Sequence, residues 1–493
     1  MSLLAPPRTA SILSWCRRHA FSPLLVVGCL LVLLPGCGSS INHYLLVEDS
    51  LRTADFRGAD AVVQQAEKTY GTKSLVLYGM DRGMTLQLAG DYQQSNLMLE
   101  QSEDEVDRLY TRRIRTETAA FLTNDTALPY EGDPYEQVMI NVLKAVNYAL
   151  LGQWQDALVE ARRIDHRLNV LSDRVKDKRD YHEDAFARYL TGILYEATGD
   201  INNAFIAYRK AYEIYEATRS WSHTGMPVQL QHDLLRTADA LHLTQELAEY
   251  QRAFPNVSGP SVQSLQHLAQ LVVISYNGRA PHKEDQFLDL PISLDALQLV
   301  LLNRGIAQSN HQRNRAADTI LYGLNGRVVR VALPKLVAQK TVAAPESVTL
   351  VPDQGEPLMI RTEVVENVTA QAEKALSERL PATTVKALAR AALKYSLAEG
   401  ATRGAQHAAG KDAAPWVGLL VGLLTHGYAI ASEEADKRSW RTLPDEIQLA
   451  RLWVPPGTYH VRGTSFIGSA GQSGKTLTLA AGETALLVRR VLQ

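Results

Sequence analysis

The chain has 493 residues, with 51 Lys and Arg against 53 Asp and Glu, and three Cys. That length exceeds one ordinary domain, and 46% hydrophobic with 21% charged residues excludes disorder along the whole chain. A net charge of −2 gives no electrostatic case for nucleic acid, which needs a basic surface.

The first 36 residues differ from the rest. Arg8, Arg17 and Arg18 are basic, and no acidic residue precedes Glu48. Leu24–Leu34 is an uncharged apolar run. A basic start followed by a short apolar core is a secretory signal, and it is too short to span a bilayer. Leu34-Pro35-Gly36-Cys37 closes it and resembles the lipobox of bacterial lipoprotein precursors. The resemblance implies cleavage after Gly36, a thioether lipid on Cys37 and acylation of the new amino terminus. Residues 37–43 would then be a lipidated tether. Gly38, rather than Asp, implies by the same resemblance an outer-membrane destination facing the periplasm. Cys16 and Cys29 lie in the removed segment, so no thiol is left for a disulfide, a metal or a nucleophile.

Residues 44–254 read as helix, with apolar positions at three- and four-residue spacing. Within Ala185–Tyr215, Gly192, Tyr195, Gly199-Asp200, Ala204, Tyr208 and Ala211 resemble a tetratricopeptide (TPR) repeat. Small residues there let two antiparallel helices approach, and Gly-Asp makes the turn. Ala54-Asp55-Phe56, Gly90-Asp91-Tyr92 and Gly152-Gln153-Trp154 repeat the turn. Their spacing is irregular where a strict array repeats every ~34 residues, so the copies are degenerate. A generic helical bundle is the rival reading. Such a stack offers a long surface to peptides or proteins and carries no chemistry of its own.

Residues 255–265 are a linker, opened by Phe254-Pro255 and holding Gly259-Pro260. Residues 266–493 read as a β-rich domain, a small sandwich or open barrel with inserted helices. Strand candidates are 271–276, 327–333, 347–351, 358–365, 446–454, 457–466, 475–480 and 484–491, with hairpin turns at Pro455-Pro456-Gly457 and Ala481-Gly482-Glu483. The fold class is thus α+β and multidomain. A helical insertion runs from about 366 to 435. Its first helix, Thr369–Glu399, aligns Arg379, Lys386, Arg390 and Lys394 on one face, a candidate basic face for anionic headgroups or an acidic partner. A Gly- and Ala-rich flexible loop is expected at 400–415. The apolar run Trp416–Ile430, with Gly418 and Gly422, suits a buried helix or a contact between subunits of a homo-oligomer better than a membrane span.

Arg438-Ser-Trp440-Arg-Thr-Leu-Pro444-Asp-Glu446-Ile-Gln448 is the most particular segment. With Asn141–Arg163 and Asn277–Ala280 it resembles a family of largely uncharacterised bacterial lipoproteins, built as degenerate TPR-like repeats followed by a C-terminal β-rich region. The resemblance supplies a plan and no activity. Arg438, Trp440 and Glu446 form a surface site or brace their loop.

No enzyme motif is complete. Gly471–Thr476 imitates a phosphate-binding loop, but Ser469 stands where Gly is needed and an alternating strand follows. His182-Glu183 lacks a second His, no Gly-x-Ser-x-Gly appears, and the 13 His are scattered. No cofactor and no metal are expected. The reading is a membrane-anchored, periplasm-facing adaptor or scaffold that binds protein partners of the cell envelope. The alternatives are glycan or peptidoglycan binding, with Trp440, Trp453 and Tyr459 stacking on sugars, and an unrecognised envelope hydrolase.

Overall fold

The computed structural model describes residues 42–116, 126, 128–173, 184–257, 261–291, 328–340, 347–353, 355–408, 434–462, 466–468 and 476–492. From His43 onward these belong to one compact unit. Cys37, the Trp416–Ile430 run and the Gly471–Lys475 motif lie outside the described residues.

The helical half holds α1 (Asn42–Arg52), α2 (Phe56–Gln65), α3 (Glu67–Tyr70), α4 (Leu75–Leu88), α5 (Tyr92–Thr116), α6 (Pro134–Leu150), α7 (Trp154–Asp173), α8 (Ala185–Ala197), α9 (Ile201–Ser222), α10 (Val228–Ala240) and α11 (Thr244–Ala253). Four antiparallel hairpins, α4/α5, α6/α7, α8/α9 and α10/α11, stack in chain order, and α2 packs on α4. One turn chemistry recurs along the stack. Gly90, Gly152 and Gly199 have positive φ, and so do Ala54 at 58° and His242 at 56°. At each turn the following amide donates to the carbonyl five residues back. Asp55 N reaches Ser50 O at 2.8 Å, Asp91 N reaches Leu86 O at 2.9 Å, and Gln153 N reaches Tyr148 O at 2.8 Å. Asp200 N reaches Tyr195 O at 2.9 Å, and Leu243 N reaches Ala238 O at 3.0 Å. This is the Schellman closure, which satisfies helix-end carbonyls through one left-handed residue. Asp55 and Asp200 then cap the next helix by accepting from Gly58 N and Asn203 N at 2.9 and 3.1 Å. The fifth turn, at His242, carries neither Gly nor Asp and escapes the sequence pattern.

Small residues set the helix spacing. A Cβ on Gly192 would lie 2.3 Å from the Tyr208 ring, and one on Gly83 would lie 2.4 Å from Leu99. The α8/α9 and α4/α5 pairs therefore close only around glycine.

After the one-turn α12 (Val262–Leu265) come β1 (Ala269–Asn277), β2 (His282–Pro291), β3 (Val328–Val337), β4 (Ser347–Pro352), β5 (Leu358–Arg361), β6 (Glu363–Asn367), α13 (Val368–Ala408), β7 (Glu446–Val454), β8 (Gly457–Arg462), β9 (Phe466–Gly468), β10 (Thr476–Leu479) and β11 (Thr484–Val491). One sheet runs β6-β7-β1-β11-β9, a second β10-β8-β4-β5, and β2 pairs β3 as a separate ribbon. The two larger sheets face each other across Leu271, Val273, Val348, Leu350, Ala450, Val461, Leu477 and Leu487. The other face of the five-stranded sheet presents Val272, Ile274, Tyr276, Ile447, Leu449, Leu486 and Val488 to the helices, in one continuous core with them. The result is three layers: helices, five strands, four strands. Covered on both faces, β1 is buried at every position, which explains its unbroken apolar run.

Three expectations are corrected. Both expected hairpins join strands of different sheets: β7 pairs β1 and β6, whereas β8 pairs β4 and β10. Likewise β10 pairs β8, whereas β11 pairs β1 in parallel and β9. A tight turn between alternating strands announces a reversal but not a partner. Because β11 is buried on both faces, it takes an interior place in the covered sheet. The single strand expected at 358–365 is split at Thr362 into β5 and β6, one in each sheet. Residues 400–408, expected as flexible loop, continue α13, since Ala-rich sequence favours helix despite Gly400 and Gly404. Residues 409–415 lie outside the described set. No described helix is long and apolar enough to cross a membrane.

Candidate functional site

The first helices of the hairpins, α4, α6, α8 and α10, put carboxylates on otherwise apolar surface. Each meets a group from the β half. Asp81 of α4 is fully buried. It accepts from Tyr44 Oη, Tyr70 Oη and Thr442 Oγ1, each at 2.8 Å. Burial outweighs these bonds and pushes its carboxyl up to about 6. Glu136 of α6 is fully buried too. It accepts from Asp133 N at 2.8 Å as part of the α6 capping box, from Tyr130 Oη at 2.5 Å, and from Trp440 N at 2.8 Å. Burial, then the nearby Asp133, pushes it up. Asp133 behaves oppositely. Burial opposes its ionisation, but Lys283 and Arg379 hold it at about 2. Lys283 Nζ donates to Asp133 Oδ2 at 2.8 Å and to Arg438 O at 3.3 Å.

A second network lies farther along the stack. Arg451 of β7, with no exposed side chain, donates to Asp233 Oδ2 of α10 at 2.5 Å, Glu196 Oε2 of α8 at 2.9 Å and Tyr208 Oη at 3.1 Å. Arg236 joins Asp233 at 2.7 Å and also binds Glu196. The Arg236 and Arg451 guanidiniums each lie 5.0 Å from the Trp453 ring centre. Burial works against the Glu196 charge, but Arg451 and Arg236 hold it at about 2. Nearby, fully buried Asp184 and Glu366 share a hydrogen bond. Burial pushes both carboxyls up, Asp184 to about 6; the charge of Asp184 adds to the rise of Glu366, whereas the hydrogen bond from Glu366 works against that of Asp184.

The first-helix face is therefore occupied by the chain itself. Residues 436–445 lie along it as a docked peptide. Trp440 is fully buried, and its Nε1 donates to Thr442 Oγ1 at 2.9 Å. Arg438 pairs with Asp436 at 2.7 Å, donates to Lys73 O at 3.1 Å and covers the Tyr130 ring at 5.2 Å. Arg441 lies 3.6 Å from Glu48 and over Tyr44 at 4.5 Å.

The residues singled out from the sequence lie within this packing. Arg438 and Trp440 hold their loop to the helices, and a buried Trp440 cannot serve a surface site. Glu446, half-buried at the start of β7, pairs across to Asn277 at the far end of the loop. On the candidate basic face, Arg379 is paired to Asp133 while 47% of its side chain stays exposed, Arg390 is only 3% exposed, and Lys386 is half-buried with partners of its own. The Lys394 side chain lies outside the described set. Helical spacing could not reveal that Arg379 meets Asp133 or that Arg390 is buried. The three aromatics considered for sugar stacking are also engaged. Trp440 is buried, Trp453 carries two guanidiniums, and Tyr459 Oη donates to Pro455 O at 2.6 Å. Thr476 opens a strand rather than the helix a phosphate loop requires. Among the described residues, no group of His, Cys, Asp and Glu is placed to hold a metal.

Of the second helices, α5 and α7 present exposed apolar side chains to the outside. Between α5 and α7 lies a groove of about 370 Å³ lined by Leu97, Glu100, Tyr148, Val159, Glu160 and Arg163, among others. Leu97 is 48% and Val159 42% exposed. Beneath it, buried Lys144 reaches Glu103 at 2.8 Å and Glu160 at 3.1 Å, and also pairs with Glu100. Asn141 Nδ2 donates to Glu103 and Glu160 at 3.0 and 3.1 Å. Burial opposes the Glu103 charge, yet Lys144 holds it below the usual carboxylate range.

Sequence reading missed Asp81, Asp133, Glu136, Glu196, Asp233, Lys283, Arg236 and Arg451. The available signal was a charge within an apolar helical run, as in Leu75-Val-Leu-Tyr-Gly-Met-Asp81.

The turns and stacking define the class: TPR-like helical repeats joined to a separate β-sheet region. No protein-family model and no curated protein matches the chain. Among solved structures, that of MamA is 14% identical over 42% of this chain and 91% of its own, with a TM-score of 0.26. A putative kinesin light chain from Podosopora anserina with nearly identical TPR-like repeats is 17% identical over 43% and 93%, with a TM-score of 0.29. NprR in complex with its cognate peptide NprX is 15% identical over 48% and 73%, with a TM-score of 0.17.

Proposed function

We propose that the protein is a lipid-anchored adaptor of the bacterial envelope. Lipid on Cys37 holds it at the outer membrane, facing the periplasm, and its helical half binds a protein partner. The observation that carries the reading is the division of the repeat stack. Its first-helix face is filled by the chain's own residues 436–445 and β7, while the α5/α7 groove keeps Leu97 and Val159 exposed beside Tyr148. Exposed apolar side chains rimmed by charge suit a protein contact. A membrane tether raises the effective concentration of such a contact.

The test is crosslinking in intact cells from a photoreactive residue at Leu97, beside the same protein carrying Cys37→Ser and the variant Leu97→Asp/Val159→Asp. One recurring protein crosslinked from Leu97 is expected. The groove variant should lose it while remaining folded, and Cys37→Ser should reduce it by releasing the protein from the membrane. Crosslinks that persist unchanged in the groove variant would refute the assignment.

A further inference from the structure

We infer that Arg490 and Tyr276 form a binding site for a small oxyanion, a phosphate or carboxylate group, at the end of the covered sheet. The two residues are register partners on the parallel strands β1 and β11, so their side chains share one face. Arg490 is 7% exposed and Tyr276 1%. Arg490 Nη2 donates to Gly278 O at 2.9 Å and Leu443 O at 3.1 Å. Its Nε and Nη1, and the Tyr276 hydroxyl, have no acceptor among the described residues.

Four other buried cations among the described residues are treated differently. Arg451, Arg236, Lys144 and Lys283 each lie against a carboxylate. Near Arg490 the balance is positive. Glu48 is already shared by Arg279 at 2.9 Å and Arg441 at 3.6 Å, and Arg279 adds its field to that of Arg490. Burial, together with Arg279, lowers Arg490 from its ordinary range to about 9. Burial and then the Arg441 guanidinium push His43 down to about 4.

A buried guanidinium without a counter-ion costs several kcal/mol. Nε and Nη1 face opposite sides of the planar guanidinium, so each offers a charged N–H singly to an oxygen of a carboxylate or phosphate. The Tyr276 hydroxyl supplies a third donor. The near-complete burial limits the ligand to a small ion or to the exposed end of a larger group.

The experiment follows thermal unfolding and calorimetric binding of the full mature protein in mild detergent. The probes are sodium phosphate and sodium acetate, titrated against sodium chloride at equal ionic strength. Wild type should show a saturable rise in Tm with one or both oxyanions beyond that with chloride. The stronger of the two tells phosphate from carboxylate. Arg490→Gln should abolish the response. Tyr276→Phe keeps the ring in the core, so it should fold normally and need about tenfold more anion, as expected for loss of one hydrogen bond to a charged group. A wild-type response equal to that in chloride, or an undiminished response in Arg490→Gln, would overturn the assignment.

Discussion

If residues 436–445 are what fastens the β half to the repeats, Trp440 is the side chain whose loss should matter most. Its indole is fully buried in the core shared by both halves. A buried Trp covers ~150–250 Å², worth ~4–6 kcal/mol at 25 cal/mol per Å². Large-to-small aromatic substitutions in cores cost about 3–5 kcal/mol. Trp440→Ala leaves the backbone bond from Trp440 N to Glu136 available, and Thr442 can still donate to Asp81. The loss is therefore mainly packing, about 4 kcal/mol. Trp440→Phe should cost less than half of that, since most apolar contact survives. The assay is urea unfolding of the mature chain carrying Cys37→Ser, followed by far-ultraviolet circular dichroism for helix and by near-ultraviolet signal for packing. The midpoint should fall in both signals together, because one core serves helices and sheet. A cost below about 1 kcal/mol, or an early transition that leaves the helical signal untouched, would refute the view that this segment welds the two halves.

Two further outcomes follow from the buried groups. Asp81, raised to about 6 by burial, binds its proton more tightly folded than unfolded. Stability must therefore fall as pH rises from about 4 to 6 and then level off, by about 3 kcal/mol for this group. Asp81→Asn cannot ionise, so its stability should decline less over that range by a similar amount. An unchanged pH slope in chemical denaturation would show that Asp81 is not the group responsible. Gly192→Ala places a methyl 2.3 Å from the ring of fully buried Tyr208. It should cost about 3 kcal/mol or more through forced separation of α8 and α9, and Gly192→Ala/Tyr208→Leu should recover part of it. A neutral Gly192→Ala in thermal unfolding would contradict that packing.

What the sequence made legible was local. The Gly-Asp turns at 90 and 199 follow from backbone sterics and N-capping, which act within a few residues. The apolar run at 271–276 announced the strand β1, though not that both of its faces are covered. Pairing was not legible. Pro455-Pro456-Gly457 looks like a hairpin whether the next strand stays in its sheet or leaves it. Nor was the destination of the charged residues. Arg438 and Trp440 read as a surface site or a loop brace and Arg379 as part of a basic face, because their motif or spacing stood out, and all three are engaged with the helical half. Their partners lie hundreds of positions away in the chain, as with Trp440 and Glu136, and no local pattern encodes such a match. His242 adds a smaller lesson. Its turn closes with the same backbone bond as the others, although its sequence lacks their glycine.

The arrangement of charge explains why the two halves form one unit rather than two domains on a linker. Removed from the β half, the first-helix face would expose apolar surface together with Asp81, Glu136, Glu196 and Asp233. In contact, Arg451 from β7 neutralises Glu196 and Asp233, Lys283 from β2 and Arg379 from α13 neutralise Asp133, and backbone and hydroxyl donors of the 440–442 loop satisfy Glu136 and Asp81. Every one of these partners comes from beyond residue 265. A misplaced sheet would strand buried carboxylates without cations, which costs more than losing apolar contact alone. The network thus specifies one docking register between repeats and sheet. The consequence for function is direct. A repeat stack normally offers its inner face to a ligand, whereas here that face is closed by residues of the same chain. Under the adaptor role proposed above, recruitment falls to the outward surface of α5 and α7, so the groove there, and not the face around Trp440, is the surface to test for a partner.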